Sequence, residues 1–221
     1  MTSKVKRDIP IVAFKSLQAW ETWLAAQPAG SLGVWLKLAK KSAKAASVSR
    51  QEAIDGALCY GWIDGQLDKL DDDWWLVRFT PRKSNSKWSE KNRDRAFELL
   101  KLNRISAAGL REIQQAKADS RWDQAYAPQS TAAIPDDLNA ALAKNKKAAN
   151  FFATLDSANR YAIIYRVHTA KKSETRTRRI ETFVEMLSRG ETIPHTKQRN
   201  KLTRRAPLGE MRAPYPCRVC R

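Results

Sequence analysis

Apolar residues recur along the first part of the chain at two different periods. Leu17, Trp20, Trp23 and Leu24 follow helical spacing after Ser16, a helix-capping residue, and Pro28 with Gly30 closes the run. Val34, Leu36 and Leu38 then alternate with Trp35 and Lys37, the period of a half-buried strand. Ser49-Arg50-Gln51-Glu52 is a capping box, and it opens a helix with Ala53, Ile54, Ala57 and Leu58 on one face and Gly61 as its stop. Two further strands are expected over Trp62-Ile63-Asp64-Gly65 and from Trp74 to Thr80, with Trp75, Val77 and Phe79 sharing a face across an acidic turn. After a loop from Pro81 to Ser86, Ser89 caps a helix through Ala96, Phe97 and Leu100, and Ser106 to Lys117 forms another.

From Pro135 the pattern is helical throughout. Asp136 and Asp137 favour a helix start for Leu138, Ala141 and Leu142, and Phe151, Phe152 and Leu155 supply a second short helix. Tyr161, Ile164, Tyr165 and His168 stand at i, i+3, i+4 and i+7, and Ile180, Phe183, Val184 and Leu187 repeat the pattern before Gly190. His168 completes an apolar stripe, so it reads as a packed histidine rather than a catalytic one. The expected fold class is α+β: a small, mostly antiparallel sheet of three strands covered by helices, followed by a small all-α bundle. The units span residues 1–125 and 135–194, joined by a polar, proline-bearing linker over 126–134. Residues 195–221 are basic, proline-containing and without apolar periodicity, the composition of a disordered tail.

Composition narrows the class. The 221 residues carry 41 Lys+Arg against 23 Asp+Glu, a formal net charge of +18, and 43% are hydrophobic, enough for a core. All eight tryptophans lie at or before Trp122, while the larger share of the basic excess falls from Pro135 onward. No apolar run approaches the roughly 20 residues that span a bilayer, so no transmembrane segment is expected. The N-terminus reads without a secretory signal, and three cysteines make no disulfide framework; both place the protein in the cytoplasm.

Nucleotide-fold chemistry would need G-x-G-x-x-G or G-x-x-x-x-G-K-[ST], and neither occurs. His168 and His195 lack the spacing of a zinc protease, Cys217-x-x-Cys220 is one knuckle where a structural site wants four ligands, and Cys59 sits on a buried helix face as an inert thiol. No cofactor or metal is expected. The unusual concentration is Gly61-Trp62-Ile63-Asp64-Gly65 with Arg78 to Ser89. There Trp62, Asp64, Arg78, Arg82, Ser86, Trp88 and Asn92 could converge at one end of the sheet as a pocket for an anionic or planar ligand. The same residues have a purely structural reading, in which Asp64-Gly65 is a turn, Thr80-Pro81 ends an edge strand and Arg82 pairs with an acidic neighbour. A second basic feature, with Lys171, Lys172, Arg176, Arg178 and Arg179 around a helix start, is a candidate anion-binding surface or a solvated charged face.

The segments Glu52 to Gly65, Arg78-Phe79-Thr80-Pro81-Arg82 and Ser86-Lys87-Trp88-Ser89 resemble the bacterial YdeI/OmpD-associated family, the bacteriocin-protection proteins. Ala170 to Ile180 is similar to a second signature of that family, in its helical C-terminal region, and the likeness covers roughly residues 17–194. The resemblance implies a non-enzymatic role in resistance to cationic antimicrobial peptides or bacteriocins under envelope stress, with a porin or envelope protein as partner. It implies no agreed catalytic residues. It also implies a periplasmic location, from which the N-terminus departs, and the Cys-x-x-Cys tail matches nothing in the family. Two rival readings stand beside this one. One is a nucleic-acid or anionic-surface binder driven by the C-terminal charge; the other is an enzyme or sensor with Asp64 as acid/base and Arg82 as anion clamp. Simple sequestration of cationic peptides meets the repulsion of a +18 protein, leaving Asp68, Asp71, Asp72 and Asp73 as the local acidic patch to receive them.

Overall fold

The computed structural model describes residues 9–28 and 30–193. The expected disordered tail, with His195, Cys217 and Cys220, lies outside these residues. Strands and helices follow in the order β1 (Ile11–Ala13), α1 (Leu17–Ala25), β2 (Val34–Ala39), α2 (Arg50–Cys59), β3 (Trp62–Lys69), β4 (Trp74–Pro81), α3 (Glu90–Lys101) and α4 (Ala107–Ala118). The helices α5 (Asp136–Ala143), α6 (Lys146–Thr154), α7 (Ser157–His168) and α8 (Ser173–Ser188) complete the chain's described part, an α+β architecture.

Among the described residues the sheet has four strands in the order β1-β2-β4-β3 rather than the three expected. The additional strand, β1, is a three-residue edge that runs parallel to β2, with Ile11 opposite Trp35. The other two pairings are antiparallel, and β3 carries an irregularity between Asp64 and Leu67. Alternation along β2 buries Val34, Leu36 and Leu38 against Trp20 and Leu24 of α1 and Ala53 and Ala57 of α2, with Val77 and Phe79 from β4. Trp75 shares their side of β4 but stands beyond this core and is exposed.

Serines set the helix starts. The Oγ atoms of Ser16, Ser49, Ser89 and Ser106 each accept from a backbone N–H of the first turn, and Ser49 and Glu52 complete the capping box reciprocally. α2 is enclosed on two sides, because Leu58 and Cys59 face a second cluster with Trp88, Ala96, Leu99, Ile113 and Ala116. Its end anchors α4: the Cys59 carbonyl accepts from both the backbone N–H and the hydroxyl of Ser106, at 2.9 and 2.8 Å. Gly109 passes over the same carbonyl, where a Cβ would lie 2.4 Å from its oxygen. Burial also pushes the Cys59 thiol up to about 11, so it stays protonated, a packed thiol.

The last four helices share a separate cluster that includes Leu138, Leu142, Phe152, Ile163, Val167, Ile180, Phe183 and Leu187. α7 contributes Ile163 and Val167 to it, not the stripe of Tyr161, Ile164, Tyr165 and His168. Its tyrosines lie against the linker and Lys87 of the first unit: the Tyr161 hydroxyl donates to the Ala127 carbonyl at 2.9 Å, the Tyr165 ring meets Tyr126 edge-on at 4.9 Å, and Lys87 stands over the Tyr165 ring. His168 is therefore not packed in the bundle; it is exposed at the end of α7.

Asp55, 5% exposed, is held by a bidentate pair with Arg95 at 2.9 and 2.6 Å and by Gln51. Burial alone would raise its carboxyl, but the Arg95 and Gln51 hydrogen bonds and the charges of Arg95 and Arg104 outweigh this and hold it below its ordinary value. A folded value below the unfolded one gives stability that is complete above about pH 4 and is lost as pH falls through the folded value. Asp55→Asn is expected to flatten the acid limb of melting temperature against pH. At pH 7 it should cost roughly 3 kcal/mol, the low end for a broken buried pair because Arg95 is a third exposed. Gly109→Ala is expected to cost about 2 kcal/mol through overpacking, seen as a melting temperature lower by roughly 4–8 °C. Gly30→Ala, where a Cβ would meet nothing, should leave it unchanged.

Candidate functional site

The turn between α2 and β3 and the end of β4 place Arg82. Gly61 holds φ at +75°, and its carbonyl accepts from the Arg82 N–H at 2.9 Å, so the chain leaving β4 is drawn against the end of α2. The Arg82 side chain lies over the Trp88 ring with its guanidinium carbon 3.6 Å from the centroid, and Nη1 donates to the Lys87 carbonyl at 3.2 Å. It is 6% exposed, and its Nε and Nη2 have no hydrogen-bond partner among the described residues. The acidic-neighbour pair expected for Arg82 is thus replaced by stacking on an aromatic ring. Burial lowers the guanidinium to about 10, with Glu112 and Asp64 working in the other direction, so it remains charged at neutral pH.

Arg82 lines a cleft of about 450 Å³ together with Tyr60, Trp62, Ser106, Arg111 and Glu112. Glu112 presents the complementary group, since its buried Oε2 also lacks a partner among the described residues. A buried cationic donor and a buried carboxylate acceptor, both unsatisfied and both at one cleft, suit a ligand that offers an acceptor and a donor together.

Of the pocket residues read from the sequence, Trp62 and Arg82 share this cleft, Trp88 backs Arg82, and Asp64 is close enough to act on the charge of Arg82 and the Tyr126 phenol. No hydrogen bond joins Asp64 to Arg82 among the described residues; its nearest ion pair is Arg50, at 3.9 Å. Arg78 departs from the group because it alternates with Val77 and Phe79 and so lies on the opposite face of the sheet, opposite Trp35. The Ser86 hydroxyl is taken by the Lys83 N–H in a turn, and Asn92 sits in the first turn of α3, where its N–H donates to Ser89. Neither Ser86 nor Asn92 lines the cleft. Sequence reasoning missed Glu112, Arg111 and Tyr60, which α4 and the end of α2 bring in.

The basic residues of the second unit separate by role. Arg176 forms a bidentate pair with Asp137 and donates to the Val167 carbonyl at 3.0 Å, while Arg179 donates to the Arg166 carbonyl. Both satisfy carbonyls at the end of α7. Lys171, Lys172 and Arg178 remain exposed. In the acidic turn, Asp71 accepts from the N–H groups of Asp73 and Trp74, and Asp72 pairs with Lys69 at 2.9 Å.

Among the described residues no group of three or more His, Cys, Asp or Glu could hold a metal ion, and no helix is long and apolar enough to cross a membrane. Residues 131–190 match the family model described as "Bacteriocin-protection, YdeI or OmpD-Associated", and residues 12–112 match a domain of unknown function (DUF8412). The match over the C-terminal helical region agrees with the family that the sequence resembles there, whereas the first-unit segments read as carrying the same resemblance fall within the domain of unknown function. No curated protein and no solved structure matches the chain.

Arg82→Lys keeps the charge but removes the plane that stacks on Trp88. The expected cost is about 1–2 kcal/mol, the worth of a desolvated cation–π pair, read from the urea midpoint. A variant as stable as the wild type would contradict the stacking role.

Proposed function

We propose that the protein is a non-enzymatic protective protein of the bacteriocin-protection type, acting against antimicrobial peptides or envelope stress by holding a peptide-like amide in the Arg82–Glu112 cleft. The observation that carries this reading is the pair of unsatisfied buried groups at one cleft, a guanidinium and a carboxylate. A peptide unit offers a carbonyl to the first and an N–H to the second. The family match of residues 131–190 supports the protective role and an envelope-related association.

Charge chooses among the ligands. A protein of net charge +18 repels a free cationic peptide at long range. The acidic turn offers little in return, because Asp71 is spent on backbone N–H groups and Asp72 on Lys69. The favoured ligand is a near-neutral or acidic segment of an envelope partner, such as a porin, rather than the toxin itself. Nucleic-acid binding through α8 is not favoured, since Arg176 and Arg179 are committed to Asp137 and to the end of α7.

The test is survival. Removing the gene should lower the concentration of a cationic antimicrobial peptide that stops growth by at least fourfold; the wild-type gene should restore it and Arg82→Ala should not, at equal protein level. Full restoration by Arg82→Ala removes the cleft from the function, and no sensitivity on deletion removes the protective role.

A further inference from the structure

Trp88, on which Arg82 stacks, also lines a second, smaller cavity at the seam between the two units. Its volume is about 50 Å³, room for one tetrahedral anion, and its walls come from residues 85–88, 121–126 and 168–171. The groups on these walls are mostly donors. Arg121, 5% exposed, spends Nε on Asp119 and Nη1 on the Ser86 carbonyl at 2.9 Å, while its Nη2 has no partner among the described residues. The buried Trp88 Nε1 is likewise without one.

Lys87 stands over the Tyr165 ring at 4.9 Å. Burial, and then the nearby charges of Arg179 and Lys171, hold its ammonium below the ordinary lysine value. Lys87 and Lys171, both exposed, and the buried Arg121 thus bring three cations from two units to the walls of one cavity. Among the described residues no carboxylate lines this cavity, and Asp119, the one paired with Arg121, already has both of its oxygens occupied, at 2.8 and 2.7 Å. The buried Arg121 Nη2 and Trp88 Nε1 left without partners carry a cost that an oxyanion removes, and the exposed Lys87 and Lys171 add attraction for it at the rim.

Tyr126 and His168 line this cavity and also an adjoining one of about 460 Å³. Tyr161, Tyr165, Ile164 and Pro135 line the larger space beside Glu90, Asp136 and Arg176, so aromatic faces that take a planar body stand next to charged groups. We propose that the seam is a binding site for a phosphorylated small molecule, its phosphoryl group held by Lys87, Arg121 and Lys171 and its planar body resting in the tyrosine-lined cavity. This site is separate from the Arg82–Glu112 cleft and stands whether or not the protein protects against peptides.

The experiment is calorimetric titration of the full chain with adenosine 5′-monophosphate, inorganic phosphate and adenosine at 0.15 M salt, on the wild type, Lys87→Met and Lys171→Met. Each variant removes one charge from a side chain that forms no ion pair among the described residues. The expected result is one saturable site, with the monophosphate at least tenfold tighter than phosphate, adenosine silent, and at least tenfold weakening by Lys87→Met in protein of unchanged melting temperature. Binding that both variants leave intact is diffuse attraction to the basic surface and overturns the proposal, as does no saturation by the monophosphate at millimolar concentration. Phosphate as tight as the monophosphate overturns the tyrosine-lined half of the site. Survival under peptide challenge is read separately, so failure here leaves the cleft reading untouched.

Discussion

The close packing of the first unit depends on small residues along α2. At Gly56 a Cβ would lie 2.8 Å from the Trp20 ring, and that ring donates its Nε1–H to the Ala53 carbonyl at 3.1 Å. A larger residue at either position would lift α1 from α2 and open the core beneath the sheet. The far side of the helix is equally close, with Ser106 and Gly109 seated on the Cys59 carbonyl. Because both sides are fixed, the turn through Gly61 leaves the helix at a set place, and Arg82, bonded to the Gly61 carbonyl, inherits it. The candidate chemistry is thus a product of tight helix packing, not of a flexible loop.

Arg82 illustrates what burial of a charge requires. Its guanidinium has an aromatic face, one carbonyl and two carboxylates at a distance, which keeps it protonated without satisfying all of its N–H groups. An apolar side chain of the same volume would fill the space with no such debt of hydrogen bonds. The arrangement makes sense when those N–H groups have a use outside the chain, and the unsatisfied Glu112 oxygen at the same cleft points the same way.

Local chemistry was legible in the sequence wherever neighbours in the chain decide it. The serine caps, the Ser49–Glu52 box and the alternation of Val34, Leu36 and Leu38 need only a few adjacent residues, and each stands as read. The edge strand Ile11–Ala13 was not legible, because three residues beside a proline carry no period, and its pairing with β2 exists only after the fold closes. Arg78 belongs with Arg82 by segment alone; strand alternation sends it to the other face from Asp64, which pairs with Phe79. Glu112, Arg121 and Tyr126 lie 30 or more residues from Arg82 and belong to no motif with it, so their meeting is a tertiary fact. The stripe of Tyr161, Ile164, Tyr165 and His168 is legible as an apolar face, but a helical period does not say what covers it, and the tyrosines meet the linker rather than the bundle.

That stripe gives α7 two apolar sides. Ile163 and Val167 hold the bundle, and Tyr161 and Tyr165 hold the seam through Ala127 and Tyr126. The helix therefore works as a party wall: neither neighbour can shift it without the other registering the movement. Any occupant that fixes the spacing across the tyrosines should stiffen the helices behind them, and loosening those helices should in turn weaken the occupant's hold. A C-terminal region cut free at the linker would turn its tyrosines to water, so the two halves of this chain are bound by a shared surface as well as by the peptide that joins them.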